Sequence, residues 1–318
     1  MRPFFENNVL QQQPFKPMII VVDTTKAGSA SNTFVLPIIK AASEVVKIYW
    51  GDGTNSTGVN GNNTHVYAAS GIYTVKIESK IFGGLYFNNL GDKAKITKIA
   101  NFGQGVSRLN ISSFYGCSSL LSIDIGNIVS NGTNAYAMFS GCTALTTVPL
   151  LNLSSVTNAY AMFAFCPVTT VPLFDLSKVT NAPYMFYQCT ALTTVPLLNL
   201  SSVTNAQSMF SQCTALTTIP LLDLSSVTNA ANMFRNCTPL TTIPLLNLSK
   251  VTNATDMFTG VTLTTQSYSD FLINLATLPL QSGVSFHGGN SKYNPTAAIA
   301  RAYLISNFGW TITDGGAA

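Results

Sequence analysis

The most reactive side chains in the sequence are six thiols: Cys117, Cys142, Cys166, Cys189, Cys213 and Cys237. Six cysteines could pair as three disulfides or hold zinc. Zinc needs its ligands clustered, and no CxxC pair or neighbouring histidines accompany them. The cysteines recur instead every 23 to 25 residues, so each reads as one small buried thiol per repeating unit, with bridges between adjacent units as the alternative. Asp52, in "WGDGTNSTG", is the acidic residue of the N-terminal region that invites a calcium or catalytic role. A carboxylate without a second acidic ligand nearby is weak for calcium, and the expected role is to cap its own turn. The two histidines, His65 and His287, lie far apart in the chain, and no nucleophile motif accompanies either. The sequence therefore predicts no catalytic residue, no metal, no cofactor and no enzyme.

The elements that carry these cysteines repeat. Met-Phe pairs stand at Met138 and Phe139, Met162 and Phe163, Met185 and Phe186, Met209 and Phe210, Met233 and Phe234, and Met257 and Phe258, at intervals of 24, 23, 24, 24 and 24 residues. Asn134, Asn158, Asn181, Asn205, Asn229 and Asn253 keep the same beat. A period of this length signals a solenoid of stacked units. Within one unit Ala206, Met209, Phe210 and Cys213 fall at i, i+3, i+4 and i+7, the spacing of one helix face, with Thr204 or Asn205 as its cap. The following "ALTTIPLLDL" reads as a short strand and turn that points Leu216, Ile219, Leu222 and Leu224 inward and ends at Pro220. Stacked about 4.8 Å apart, such units would pair their strands in parallel and merge their apolar sides. The Met, Phe and Cys columns are then the core ladder, and the Asn column satisfies backbone groups at each bend.

The letters that vary between units are candidates for the outer face. Aromatics gather there in the first three full units: Tyr136, Tyr160, Phe165, Tyr184 and Tyr187. Exposed aromatic clusters favour protein or carbohydrate contact, because they bury much area at small entropic cost. Packing against the N-terminal unit or a neighbouring subunit is the competing role.

Charged residues make up 9% of the chain and the net charge is +4. Without a dense basic run, this is a poor electrostatic footprint for nucleic acid. "MIIVVDTT" is too short to span a bilayer and reads as a strand. With "TFVLPII", "EVVKIYW" and "GIYTVKIES" it predicts a small β domain. After Phe258 the beat stops. "TQSYSDFLINLATLP" and "NPTAAIARAYLISNFGW" read as helices, the second packing through Ala298, Ala302 and Ile305, and the tail reads as an end cap.

The repeat "VTNAxxMFxxCTALTTIPLLDLSS" resembles the BspA-like leucine-rich repeat of surface proteins. The stretch "YWGDGTNSTG" with "THVYAASGIYTVKI" resembles a PKD-like domain of immunoglobulin type, through Trp50, Gly51, Asp52, Gly53, His65, Tyr67, Gly71, Tyr73 and Val75. The expected fold class is mainly β with short helices: a small PKD/Ig-like β-sandwich, a leucine-rich-repeat solenoid of 24-residue units, and a C-terminal α/β cap. The expected domains are an extended arm at 1–17, the PKD-like domain at 18–80, linking or capping strands at 81–110, repeats at 111–260 and the cap at 261–318. The resemblance implies a non-enzymatic scaffold for attachment or recognition. The leader shows no export signal or anchor of standard type, so the expected setting is a phage virion, as a tail, fibre or capsid-decorating component. Its partners would be other virion proteins, docked through residues 1–17, and a host surface protein or glycan, in a homo-oligomer or larger assembly. The alternative is a bacterial cell-surface or secreted adhesin.

Overall fold

The computed structural model describes residues 16–79, 83–102, 112–124 and 132–318. The arm expected at 1–17 lies almost wholly outside the described residues.

Alternating β-branched residues build the N-terminal strands. These are β1 (Met18–Asp23), β2 (Thr33–Ile39), β3 (Val46–Tyr49), β4 (Asn55–Gly58), β5 (Gly61–Val66), β6 (Ile72–Glu78) and β7 (Gly84–Leu85). Two more follow, β8 (Ile96–Phe102) and β9 (Ser122–Ile123). Strand β1 buries Met18, Ile20 and Val22, and β2 buries Phe34, Leu36 and Ile38, with intervening residues turned outward. The strands form a six-stranded sheet in the order β4-β3-β6-β1-β8-β9 and a three-stranded sheet in the order β5-β2-β7.

The expected fold class is overturned in both its main parts. No closed PKD/Ig-like sandwich forms within 18–80. The larger sheet is open and mixed, and it is completed by β8 and β9 from beyond that boundary, with β8 antiparallel to β1 and parallel to β9. A buried ion pair holds this junction. Lys95 Nζ donates to the carbonyls of Ser29, Ala30 and Thr33 at 2.7–3.0 Å, while the Asp92 carboxylate accepts from Ser29 N, Ser29 Oγ and Val35 N at 2.6–2.7 Å. Nor does a curved leucine-rich-repeat solenoid form. Among the described residues between β9 and the first α-helix there is no helix, and strand character is limited to isolated parallel bridges such as Asn181↔Asn205 and Thr194↔Thr218.

Backbone hydrogen bonding explains the absence of helices. In the unit at Asn205, the N–H groups of Ala206, Ser208, Phe210 and Gln212 donate to carbonyls of the next unit, at Asn229, Ala231, Met233 and Arg235. The N–H groups between them, of Met209, Ser211 and Cys213, donate three residues back within the same unit. The chain is thus a run of turns that alternately bonds inward and onward. Each run needs left-handed backbone at two places, φ +53° at Ser208 and +62° at Gln212, which an α-helix excludes. The i, i+3, i+4, i+7 spacing fits a helix and this turn run alike, because both advance an apolar position every three or four residues. Curvature in a repeat stack requires sides of unequal width, such as helices about 8–10 Å apart against strands about 4.8 Å apart. Here turns and bridges stand on both sides, and no such difference exists.

Inside the stack the rings of Phe114, Phe139, Phe163, Phe186, Phe210, Phe234 and Phe258 lie nearly parallel, with centroids 5.5–5.8 Å apart. Helix α1 (Thr265–Leu275) buries Tyr268, Phe271, Leu272 and Leu275, and Thr264 caps it by accepting from Ser267 N. Strand β10 (Ser285–His287) continues the stack as a further rung: Phe258 N donates to His287 O, and Phe271 and Phe286 pack edge-on against Phe258. Helix α2 (Pro295–Phe308) is capped by Asn294 and ends at Gly309 with φ +66°, before β11 (Thr311–Thr313) pairs in parallel with β10. It buries Ala297 and Leu304, whereas Ala302 and Ile305, expected inside, are exposed. One hydrophobic cluster runs through the described molecule from Met18 to Ile312.

Candidate functional site

Each rung begins with an asparagine that shapes the outer face. The side-chain oxygen of Asn134, Asn158, Asn205, Asn229 and Asn253 accepts from the N–H two residues on, at 3.0–3.2 Å. Asn181 is followed two residues on by Pro183, which has no N–H, and its side chain turns to donate to Asn158 Oδ1 at 2.9 Å. The threonine before each asparagine holds the register: both N–H and hydroxyl of Thr157, Thr180, Thr204, Thr228 and Thr252 donate to the carbonyl of the previous threonine.

The methionine and phenylalanine of every Met-Phe pair from Met138 to Phe258 and all six cysteines are buried. The cysteines are free, and five donate their thiols to the carbonyl of the phenylalanine one rung back, as Cys213 does to Phe186 at 3.1 Å. Burial pushes the thiols of Cys142, Cys189 and Cys213 well above their ordinary range and Cys237 up to about 12. Such thiols are neither nucleophiles nor ready metal ligands. Among the described residues no group of three or more His, Cys, Asp or Glu is placed to hold a metal ion.

Asp52 sits in a turn flanked by Gly51 and Gly53, both with φ near +90°. Its Oδ1 accepts from the N–H and hydroxyl of Thr54 at 2.9 and 2.6 Å, and its Oδ2 lies 2.8 Å from His65 Nε2. Trp50 stacks on the His65 ring at 4.8 Å. Burial pushes the Asp52 carboxyl up, but the bonds from Thr54 and His65 outweigh it and hold it at about 2. His287 accepts from Gly289 N through Nδ1, at the far end of the molecule.

Tyr136, Tyr160, Phe165, Tyr184 and Tyr187 do come together. They surround a recess of about 340 Å³, together with Tyr115, Ala137, Ser140, Ala161 and Ala164. Tyr136 and Tyr160 stack at 4.6 Å, Phe165 meets Tyr187 edge-on, and Tyr187 meets Tyr184 edge-on. The register explains the hollow. Tyr115, Ser140, Ala164 and Tyr187 occupy one column, so two small residues form a floor between two large ones. Phe165 (φ +63°) and Tyr184 (φ +59°) hold left-handed backbone where other rungs place Gly141, Gln188, Gln212 or Ala161 and Ser208. A bulky residue in that region is strained, and strain of this kind clusters at functional positions. Sequence reasoning missed Tyr115 and the floor of Ser140 and Ala164; the signal available was the glycine at Gly141 in the column that holds Phe165. A second exposed column, Leu150, Leu173, Leu197, Leu221 and Leu245, also went unassigned.

Residues 75–181 match a family model described as a BspA type leucine rich repeat region, in six copies. The chain carries a BspA-type repeat region. Residues 168–271 match a second model, described as a Mycoplasma protein of unknown function, DUF285. Each match spans about a third of the chain, and neither family is of the PKD type. Comparison with curated proteins and with solved structures finds no match. The BspA-type match begins well before Met138, in agreement with bridges that carry the beat back to Lys98↔Ser122 and with Asn89, whose φ of +60° places it in the left-handed column of Gly116 and Gly141. The recess lies where the BspA-type region meets the segment that follows. No helix among the described residues is long and apolar enough to cross a membrane.

Proposed function

We propose that this chain is a non-enzymatic recognition protein of the bacterial surface or secreted kind, whose stacked rungs present an aromatic recess to a protein or glycan partner. The observation that carries this reading is the convergence of five aromatics from three rungs around one hollow, two of them held at strained backbone angles. The BspA-type region supports a repeat surface built for contact. The non-enzymatic reading rests on the occupied state of the titratable groups: His65 is held between Asp52 and Trp50, His287 serves its own turn, and the buried thiols are protonated. The virion setting expected from the leader draws no support from either matched family, so the cell-surface reading leads.

Two measurements test it. Mass spectrometry of host-envelope fractions, culture medium and purified phage particles should find the chain in the first two. A variant carrying Tyr160→Ser, Phe165→Ser, Tyr184→Ser and Tyr187→Ser should lose binding to intact cells while keeping its unfolding midpoint within a few degrees. Unchanged cell binding by that variant would remove the recess from the account, and recovery in particles alone would restore the virion setting.

A further inference from the structure

The recess has a donor and acceptor balance that narrows what it can take. None of the residues around it carries a formal charge, so an ionic ligand would lose its hydration without compensation. Tyr136 and Tyr160 cover one ring face each against the other, and Tyr184 tilts across Tyr160 at 5.5 Å, which reduces the flat platform on which a sugar ring stacks. Ring edges carry the positive end of the aromatic quadrupole. Tyr187 Oη accepts from two amides, Gln212 Nε2 at 2.9 Å and Gln188 Nε2 at 3.2 Å, and Tyr184 Oη accepts from Gln207 Nε2 at 3.0 Å. With its acceptor positions taken, the Tyr187 hydroxyl can only donate. Among the described residues no acceptor receives the protons of Tyr136, Tyr160, Tyr184 or Tyr187. Burial, with Tyr136 and Tyr184 beside it, also pushes the Tyr160 hydroxyl up, keeping that proton in place at neutral pH.

The complement is a neutral chain with apolar bulk and unpaired carbonyl acceptors. Polyproline II has these properties, since its carbonyls are free of internal hydrogen bonds and its rings are apolar. It docks in aromatic-lined grooves elsewhere for the same reason. The dimensions admit it: one turn of three residues rises about 9 Å, and three strand spacings of about 4.8 Å separate Tyr115 from Tyr187, about 14 Å across the floor of Ser140 and Ala164.

We propose that the recess binds a neutral, proline-rich segment of a partner polypeptide in the polyproline II conformation, with Tyr184 and Tyr187 donating to its carbonyls. This rests on the contact reading given above and adds the ligand class. The test is calorimetric titration of the full chain with three probes: a capped decaproline peptide, a capped glycine-serine peptide of equal length, and tetra-N-acetylchitotetraose. Decaproline should bind saturably and the other two should not. Tyr187→Phe, which removes only the hydroxyl, should weaken decaproline binding about three- to tenfold. Phe165→Gly removes a wall at a position whose backbone suits glycine, and should weaken it as well. Absence of saturable decaproline binding, equal affinity in both variants, or binding of the saccharide alone would overturn the proposal. If decaproline fails while the four-serine variant still loses cell binding, the contact surface stands and only this ligand class falls. If both fail, the recess has no recognition role.

Discussion

Phe165 exposes 45% of its surface while its backbone sits at φ +63°. An exposed aromatic gains little from burial, and left-handed backbone costs a non-glycine residue about 1–2 kcal/mol. Structural needs alone would favour glycine there, as at Gly141. Phe165→Gly should therefore leave stability unchanged or raise it by up to about 1 kcal/mol, measured by equilibrium denaturation, even as partner binding drops. A marked loss of stability would show that the ring serves packing. Asp52 behaves in the opposite sense. Its carboxyl titrates at about 2 in the folded chain against an ordinary 3.8, so the stability it contributes is complete above pH 3.8 and is lost as pH falls through about 2. Denaturant midpoints measured across that window should decline, and Asp52→Asn should flatten the part of the decline that belongs to this turn. An unchanged pH profile in the variant would assign the acid sensitivity to other carboxylates.

At the scale of the rung, apolar columns and hydrogen-bond columns do different work. Phe210 is fully buried between Phe186 and Phe234, so Phe210→Ala should cost roughly 3–5 kcal/mol through transfer and cavity effects. A shift below about 1 kcal/mol in equilibrium unfolding would place that ring outside the core. The 24-residue beat was legible because the Met, Phe and Cys of each unit recur in register with little variation, and the BspA-type character is shown for the part of that beat within 75–181, which holds Met138, Phe139 and Cys142 and Met162, Phe163 and Cys166. The conformation of the rung was not, since its apolar spacing suits a short helix equally well and the left-handed positions are occupied by Ser208, Gln212 and Asn236 rather than by glycine throughout. Helix α2 misled in a related way. "PTAAIARAYLISNF" is apolar almost all round, with Arg301 its only charge, so periodicity cannot choose between the face of Ala297 and Leu304 and that of Ala302 and Ile305. In the candidate site, the five aromatics were visible as variable letters, but the hollow between them depends on which rung aligns Ser140 and Ala164 between Tyr115 and Tyr187.

Across the whole molecule, the N-terminal sheets and the rungs share one core. The strands of 18–80 looked self-contained because their alternation is clear, yet β8 and β9 complete the sheet and the buried Lys95 and Asp92 tie its turns to the start of the stack. No sequence pattern announces that pair, since both residues normally sit in solvent. The resulting body separates an interior of Met, Phe and Cys columns from a weakly charged exterior on which the rungs carry one aromatic cluster and one column of exposed leucines. Hydroxyl-radical footprinting of the full chain, read residue by residue by mass spectrometry, tests that separation most directly. Tyr136 and Phe165 should be oxidised readily, while Met185, Met209, Met233, Phe186 and Phe210 stay protected until the chain unfolds. Comparable oxidation of both sets in the native protein would contradict the account.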